Sequence, residues 1–186
     1  MCVKMLNPNK DRFVIDTACG SCEFLIHTMK YVKFKNFSNY AIGHLWGIDF
    51  NERRSKISKI MMLIASDGKS YIFKENSLDS SSWSDNIKVV IDKERLVDKD
   101  YRYFDFDILL ANSSFIYEVT EKHILAEYSN IVKEKQTKIS RYLLFIERNL
   151  NFVKNGGWLA LVLLQGVFND TRKNTLEIFW SIKPEF

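Results

Sequence analysis

The sequence predicts an α/β fold in which a mostly parallel central sheet carries helices on both faces. Short apolar runs alternate with helical stretches, which favours right-handed crossover units. The run Trp158–Leu164 is almost continuously apolar, as expected of a strand buried on both faces. Polar residues follow four predicted strands, at the sheet edge where such folds bind ligands. At 186 residues the chain fits one domain, residues 1–186.

The elements alternate along the chain. Strands are predicted near Phe13–Ile15, within Tyr40–Ile48, at Ser70–Glu75, around Ile108–Leu110 and at Trp158–Leu164. Helices are predicted from about Glu23 to Lys33, from Glu52 to Ser66 and from Gln136 to Val153. The prediction of the second helix depends on apolar residues at helical spacing, namely Ile57, Ile60, Met61 and Ile64. The third is followed by Asn155-Gly156-Gly157, a strong helix stop signal, and Ser77–Asp85 is a polar loop by composition.

Composition excludes several classes of protein. The apolar fraction of 46% argues against disorder, and no apolar run approaches the roughly 20 residues that span a bilayer. The first residues lack the apolar region of a signal peptide, so we expect a cytoplasmic protein. Three cysteines are too few for a disulfide framework. The formal charge of +4 is compatible with a nucleic-acid partner but does not require one.

A C-x-x-C pair, Cys19 and Cys22, lies between the first strand and the first helix. This arrangement is typical of thioredoxin-like proteins, in which the helix amino terminus lowers the pKa of the first thiol. That fold also needs a cis-proline beside the pair, and no proline occurs between Pro8 and Pro184. A zinc site would need two more ligands, and the three histidines show no paired metal spacing. We therefore interpret Cys19 as a small buried hydrophobic residue and Cys22 as a tolerated substitution.

Four segments, VIDTACGSCEFL, GIDFN, FDFDILLANSSF and FIERNLNFVKNGGWLALVLLQGVFN, occur in this order between about Phe13 and Asn169. Together they resemble the motifs of adenine-N6 DNA methyltransferases, above all the modification subunits of type I restriction systems. The first is similar to D-P-A-C-G-S-G-G-F-L, and the second to the motif with an acid closing the second strand. The third resembles the strand that leads into a catalytic N-P-P-F tetrapeptide. The fourth resembles the helix, turn and fifth strand beyond it.

The resemblance implies a Rossmann-like fold that binds S-adenosylmethionine, flips an adenine out of duplex DNA and methylates its exocyclic nitrogen. The backbone at Gly20 would approach the cofactor, and Asp49 would accept hydrogen bonds from the ribose hydroxyls. The implied cofactor-binding residues are Asp16, Ala18, Cys19, Gly20, Ser21, Asp49, Phe50, Asn76, Ser77 and Leu78. The implied catalytic residues are Asn112, Ser113, Ser114 and Phe115. The implied partners are DNA and the specificity and restriction subunits of a type I complex, with no metal and no membrane.

In these roles, Asn112 and the Ser113 carbonyl would contact the adenine amino group, and Phe115 would stack on the flipped base. Taken alone, each residue has another interpretation. Asp49 can be a helix cap, Phe115 a core residue, and Asn112–Ser114 a turn. The basic stretches at Glu52–Lys56 and Lys133–Arg141 are typical of solvated helix faces as well as of DNA contacts.

The departures from the family pattern fall on its chemistry. Cys22 occupies the second glycine position of the first motif, where a positive φ would cost on the order of 1–2 kcal/mol, and Glu23 brings a negative charge close to the cofactor carboxylate. Ser113 and Ser114 replace both prolines of the tetrapeptide, at roughly 0.4–1 kcal/mol each. Asn76 stands where the family often has an acid.

The family's segment before the first motif does not fit here. Only about 20 residues follow Leu164, so the last antiparallel strands of the sheet can be missing.

These patterns leave several functions open. The first hypothesis is an adenine-N6 DNA methyltransferase core of the type I kind, with weakened or lost activity. The second is a non-enzymatic scaffold of the same fold that binds a partner. Methyl transfer to a protein glutamine or to RNA is the alternative reaction, since related tetrapeptides serve those planar nitrogens. A thiol redox protein is the remaining hypothesis.

Overall fold

In the part of the chain that the structure describes, five parallel strands form a central sheet connected by helices. The computed structural model describes residues 1–34, 41–66, 71–95, 105–113, 117–132 and 136–163. The strands are β1 (Val14–Asp16), β2 (Leu45–Ile48), β3 (Tyr71–Phe73), β4 (Phe106–Ala111), β5 (Glu118–Val119), β6 (Ile139–Ser140) and β7 (Val153–Leu161). The helices are α1 (Cys2–Leu6), α2 (Glu23–Lys33), α3 (Ala41–His44), α4 (Glu52–Ser66), α5 (Asp85–Arg95), α6 (Lys122–Leu125) and α7 (Arg141–Phe152).

The order of strands in this sheet is β3-β2-β1-β4-β7, with β1 at the centre. Val14 of β1 lies opposite Leu45 of β2 on one side and Ile108 of β4 on the other, and both pairings are parallel. The chain moves outward from β1 to β3 and then returns to β4, so the strand order reverses between β1 and β4. Open α/β sheets bind ligands at the carboxyl edge beside such a reversal. The predicted α/β class and parallel sheet are confirmed.

Both faces of the sheet are covered, as predicted. Val14 packs into a cluster with Leu25 of α2 and Met62 of α4, whereas its neighbour Ile15 packs with Ile87 of α5 on the other side. Successive strand residues point to opposite faces, which explains why β1 needs apolar residues at consecutive positions. Each fully buried aliphatic side chain contributes about 1.5–3 kcal/mol. The sheet is therefore the rigid base from which the loops at its carboxyl edge project.

The helix predicted from Glu52 to Ser66 is confirmed, but its predicted apolar stripe faces outward. The inward positions are Ser55, Ser58 and Met62. The residues of the predicted stripe, Ile57, Ile60, Met61 and Ile64, carry large exposed side chains. The reason lies in the loop after β1, because the Ser58 hydroxyl lies within hydrogen-bond distance of the carbonyl oxygens of Gly20 and Arg54 and can donate its single proton to either. A polar side chain is required under that loop, and the apolar stripe is consequently left on the outer surface.

The third predicted helix and its stop signal need two corrections. α7 begins at Arg141, five residues later than predicted, because Ile139 and Ser140 form an antiparallel pair with β5. β7 begins at Val153, so the glycine pair lies inside this strand. The register of β4 with β7 shifts between the Phe106–Val153 and Ile108–Trp158 pairs, which makes residues 154–157 a bulge. A Cβ atom at Gly157 would lie 2.7 Å from Val153 Cγ2 and 3.0 Å from the Asp107 carbonyl oxygen, so the bulge requires glycine there.

Several elements were not predicted, namely α1, α3, α5, α6 and the β5–β6 pair. No helix within the described ranges is long and apolar enough to cross a membrane. Parts of two predicted strands, Tyr40 and Ser70, lie outside the described residues, as do Ser114, Phe115 and Leu164. The predicted absence of the last strands concerns the chain after residue 163 and also lies outside them.

Candidate active site

The carboxyl ends of β1, β2 and β4 bring three predicted site residues to one edge of the sheet. Asp16 is the last residue of β1, Asp49 follows β2, and Asn112 follows β4. Asp16 lies opposite Gly47 of β2 and Leu110 of β4, so both neighbouring strands end close beside it. This is the arrangement expected from a parallel sheet.

Asp49 fixes the loop that follows β1. Its Oδ2 accepts a hydrogen bond from the Gly20 backbone N–H at 2.9 Å, and its Oδ1 accepts one from the Asn51 N–H at 2.8 Å. The Arg54 guanidinium lies 3.4 Å from Oδ1, with most of its side chain exposed. The Asn51 side-chain oxygen accepts a hydrogen bond from the Arg54 N–H at 3.0 Å and caps α4, so the alternative interpretation of Asp49 as the helix cap is wrong. Asp49 instead holds the turn before α4 and fixes the Gly20 loop against β2. An ionised carboxylate has about four acceptor positions, so these contacts leave room for further donors.

Asp16 is a buried carboxyl group with few donors. Its Oδ1 accepts a hydrogen bond from the Ala18 N–H at 3.0 Å. Burial raises the pKa of Asp16 to about 7, the Ala18 hydrogen bond opposes this rise, and the charge of Asp49 adds to it. A positive charge placed in this loop would favour the ionised form of Asp16, since an opposite charge nearby lowers the pKa of a carboxyl group.

The loop between β1 and α2 turns through two left-handed residues. Gly20 has φ +51 and Cys22 has φ +62, and Cys22 is fully buried. The φ of Cys22, at the family's second glycine position, is positive, so the cost of about 1–2 kcal/mol for a non-glycine residue applies there. No side chain caps the amino terminus of α2, whose first N–H groups remain available to an anion.

The thiols are buried and unsuited to redox chemistry. Cys19 and Cys22 are free cysteines in the interior. A hydrogen bond with Cys22 raises the pKa of the Cys19 thiol, and burial raises it further. Catalytic thiols need a lowered pKa, so the redox hypothesis is wrong on this geometry. Within the described ranges, no group of three or more His, Cys, Asp and Glu side chains is arranged to bind a metal ion.

A second set of buried hydrogen bonds joins the loop after β3 to the same site. The Ser77 hydroxyl donates to the Thr17 carbonyl oxygen at 2.6 Å, and the Thr17 hydroxyl donates to Asn149 Oδ1 at 2.6 Å. All three side chains are almost completely buried. The amide nitrogen of Asn149 is a buried donor without a partner. These bonds fix the relative positions of the loops after β1 and β3 and of α7.

Beside Ser77, the predicted residues Asn76 and Leu78 have different environments. Asn76 is partly exposed and its side-chain oxygen accepts a hydrogen bond from the Leu78 N–H at 3.1 Å. The Leu78 side chain is buried, and its carbonyl oxygen accepts a hydrogen bond from the Tyr128 hydroxyl at 2.8 Å and one from Arg148 at 3.3 Å. The loop after β3 is thus anchored to α7, which places its polar start at the edge shared by β1 and β2.

The remaining predicted residues differ in exposure. Phe50 is 64% exposed beside Asp49, and Ser21 is exposed at the turn into α2. Asn112 is exposed at the end of β4, and Ser113 is buried. The β4 end is held by β7, since the Val162 N–H donates to the Ala111 carbonyl oxygen at 2.9 Å. Ser114 and Phe115 lie outside the described residues, so their roles stay predictions.

Sequence reasoning missed three residues that shape this site. Thr17 lies where the first motif of the family has proline, and that mismatch was a usable signal. Ser58 could have been suspected from its repeat with Ser55 on one side of an otherwise apolar and basic helix. Asn149 carried no local signal, because its partner Thr17 is 132 residues away in the sequence.

Comparison with known families settles which protein class this site belongs to. The family model described as N-6 DNA methylase matches residues 1–178, nearly the whole chain. The chain belongs to the N-6 DNA methylase family. No curated protein matches it. The resemblance deduced from the sequence motifs is confirmed at the level of this family.

Solved structures similar to this N-6 DNA methylase agree on the fold. A modification subunit assigned to a type I restriction enzyme from Vibrio vulnificus YJ016 has a TM-score of 0.70 at 19% identity, covering 95% of this chain and 35% of that one. A type I restriction-modification methyltransferase subunit from Streptococcus thermophilus has a TM-score of 0.62 at 15% identity, covering 92% and 33%.

A protein from Listeria monocytogenes, assigned as a class I S-adenosylmethionine-dependent methyltransferase, has a TM-score of 0.64 at 13% identity, covering 91% and 43%. The chain thus has the fold of S-adenosylmethionine-dependent methyltransferases, and it spans about a third of the length of the two modification subunits.

Proposed function

We propose that this chain is the catalytic core of an S-adenosylmethionine-dependent adenine-N6 DNA methyltransferase of the type I modification kind. The observation that carries the proposal is the hydrogen bond from the Gly20 loop to Asp49, beside the strand end that bears Asn112. It joins a cofactor-type loop, an acid after β2 and an amide after β4 at one sheet edge. Family membership supports methyl transfer to a DNA base as the reaction.

The residues at this edge fit S-adenosylmethionine. A Cβ atom built on Gly20 would meet nothing nearer than the Ala18 carbonyl oxygen at 4.0 Å, so the loop is open to close approach. Asp49 would accept hydrogen bonds from the ribose hydroxyls of the cofactor. The exposed Arg54 side chain would turn away from Asp49 to make room for them. The N–H groups at the uncapped amino terminus of α2 would donate hydrogen bonds to the carboxylate of the cofactor. Asp16 would ionise because the bound cofactor brings a positive charge close to it. Phe50 and Asn76 would border the adenine ring of the bound cofactor.

Asn112 is proposed as the catalytic residue. When bound, the cofactor supplies an electrophilic methyl group. The Asn112 side-chain oxygen would accept a hydrogen bond from the amino group of the flipped adenine, and the Ser113 carbonyl oxygen would accept a second one. These two bonds would make the nitrogen lone pair available for attack. Phe115 is proposed to stack on the base.

The proposed activity is weakened in this chain. The left-handed Cys22 adds about 1–2 kcal/mol of strain to the cofactor loop, and its side chain fills space that glycine would leave. Ser113 and Ser114 lack the restriction that two prolines would impose, at roughly 0.4–1 kcal/mol each. Because 1.4 kcal/mol corresponds to a factor of about ten, the two effects together favour a slow enzyme.

The partners and the setting are part of the same proposal. Type I modification subunits are among the structural neighbours, and one neighbouring structure concerns complex assembly of the type I restriction-modification system. We therefore propose DNA as the substrate and specificity and restriction subunits as partners. A single catalytic domain over residues 1–186 is part of this proposal. A DNA-modifying role would place the protein in the cytoplasm.

A non-enzymatic scaffold is the second candidate, and the buried, left-handed Cys22 is the observation that favours it. The experiment is transfer of labelled methyl groups from S-adenosylmethionine to duplex DNA, with Asn112→Ala as the test variant and Asn151→Ala, an exposed asparagine on α7, as the matched control. The proposal expects label on N6 of adenine for wild type and Asn151→Ala, and at least a hundredfold loss for Asn112→Ala.

No label on DNA, or equal labelling in both variants, would contradict the proposal and favour the scaffold. RNA and glutamine-containing peptides are offered in parallel reactions, and preferential labelling of either would identify the alternative substrate.

A further inference from the structure

The outer face of α4 carries five large aliphatic side chains that are exposed in the described structure. They are Ile57, Ile60, Met61, Leu63 and Ile64, which we call the α4 apolar face. Their exposed fractions lie between 41% for Met61 and 72% for Ile64. At 100° per residue, Ile57, Ile60, Met61 and Ile64 form one stripe, almost opposite the buried Ser58 and Met62. Contiguous exposed apolar stripes of this kind mark interaction sites.

The basic residues beside this face outnumber the acids on the helix. α4 contains Arg53, Arg54, Lys56 and Lys59 but a single acid, Glu52. Arg53 and Arg54 lie in the first turn, where the positive end of the helix dipole disfavours them. Lys56 is paired with Glu52 and Arg54 with Asp49, which leaves Arg53 and Lys59 as exposed charges next to the apolar face.

We propose that the α4 apolar face docks an amphipathic helix of a partner protein whose apolar side is flanked by acidic residues. Aliphatic side chains at i, i+3, i+4 and i+7 form the ridge that a second helix packs against. The neighbouring cations would pair with Asp or Glu on the partner and fix its orientation. This function is separate from methyl transfer, since the face points away from the Gly20 loop.

Charge and size argue for this occupant over others. A second copy of the chain would bring like charges together around the same stripe. The stripe from Ile57 to Ile64 covers about two helical turns, roughly 10 Å, which suits a helix crossing. Nucleic acid would pair with the cations but would leave the aliphatic side chains against phosphate.

The test uses the whole chain and three synthetic helical peptides, with binding followed by fluorescence anisotropy. One peptide has leucines at i, i+3, i+4 and i+7 flanked by glutamates. The second has lysines instead of the glutamates, and the third has the composition of the first with the stripe scrambled. The protein variants are Ile60→Gln/Ile64→Gln and, as a matched exposed aliphatic on α5, Val89→Gln. Because these side chains are exposed, the variants should keep the native fold.

The proposal expects the acidic striped peptide to bind wild type and Val89→Gln at least tenfold more tightly than Ile60→Gln/Ile64→Gln. The charge-reversed variant Arg53→Glu/Lys59→Glu should instead bind the basic peptide more tightly than the acidic one. Equal binding of the scrambled peptide, no binding of the acidic one, or an unchanged preference after charge reversal would overturn it. Sedimentation with anionic vesicles, or self-association lost in Ile60→Gln/Ile64→Gln, would assign the face to a membrane or to a second copy instead.

Discussion

Replacement of Asp16 by asparagine tests the electrostatics of the site. The Asp16 carboxyl is almost completely buried at the end of β1, and burial raises its pKa from the ordinary value of 3.8 to about 7. The asparagine side chain would keep an oxygen able to accept the Ala18 N–H hydrogen bond and would remove the ionisable group. The variant therefore isolates the cost of burying a negative charge beside Asp49.

The sign follows from proton binding. Between pH 3.8 and about 7, the folded protein keeps a proton on Asp16 that the unfolded chain releases. This contribution to the free energy of unfolding is fully present below pH 3.8 and is lost as the pH rises to about 7. At about 1.4 kcal/mol per pH unit, the loss is at most about 4 kcal/mol at pH 8. The Asp16→Asn variant does not undergo this loss of stability. It should be more stable than wild type at pH 8 and nearly as stable as wild type near pH 4.

Urea unfolding at pH 4.5, 6 and 8 measures this difference. Asp107→Asn is the matched control. Burial would raise the pKa of Asp107, but hydrogen bonds from Lys154, Phe13 and Arg12 outweigh burial and hold this pKa below its usual range. Asp107→Asn should lose stability relative to wild type by nearly the same amount at all three pH values, because the contribution of a lowered pKa is lost only as the pH falls below 3.8. If Asp16→Asn and wild type differ by the same amount at all three pH values, Asp16 is not a buried carboxyl with a raised pKa.

Substitutions at three further places test the packing around the site. Cys22→Gly should be about 1 kcal/mol more stable to urea than Cys22→Ala, because only glycine is relaxed at φ +62; equal stabilities would refute the strain. Thr17→Val and Asn149→Ala should each lower the free energy of unfolding by about 1–2 kcal/mol. The double variant should lose about 1 kcal/mol less than the sum of the two single losses. Strict additivity would mean that the hydrogen bond between the two side chains contributes nothing. Gly157→Ala should cost about 1–3 kcal/mol in thermal unfolding, because the new methyl group would lie 2.7 Å from Val153 Cγ2; a neutral result would contradict the packing of the bulge.

Sequence periodicity predicted the elements whose signals are local. The bounds of α2 and α4 matched, because helix propensity and capping are properties of neighbouring residues. α5 was missed because the chain around Asp85 is polar and only Ile87 and its neighbours mark a buried side. The side of α4 that is buried could not be predicted, since it depends on the contact of Ser58 with Gly20, 38 residues earlier in the sequence.

The site was predictable as far as parallel topology determines it. Asp16, Asp49 and Asn112 follow strands that pair side by side, so motif order was enough to bring them to one edge. The contacts of Asp49 with Gly20 and of Thr17 with Asn149 depend on tertiary packing, for which a single sequence carries no pattern. The roles assigned to Ser114 and Phe115 stay predictions from the family motif.

Calorimetric titration of S-adenosylmethionine tests the central claim that the Gly20 loop and Asp49 form a cofactor pocket. The folded wild-type chain is predicted to bind one equivalent, with an affinity that rises between pH 6 and pH 8 as Asp16 ionises. Asp49→Asn should bind at least tenfold more weakly, and Glu118→Gln, an exposed acid on β5, should bind like wild type. Absence of binding by the folded wild-type protein at millimolar cofactor, or equal binding by Asp49→Asn, would contradict the account.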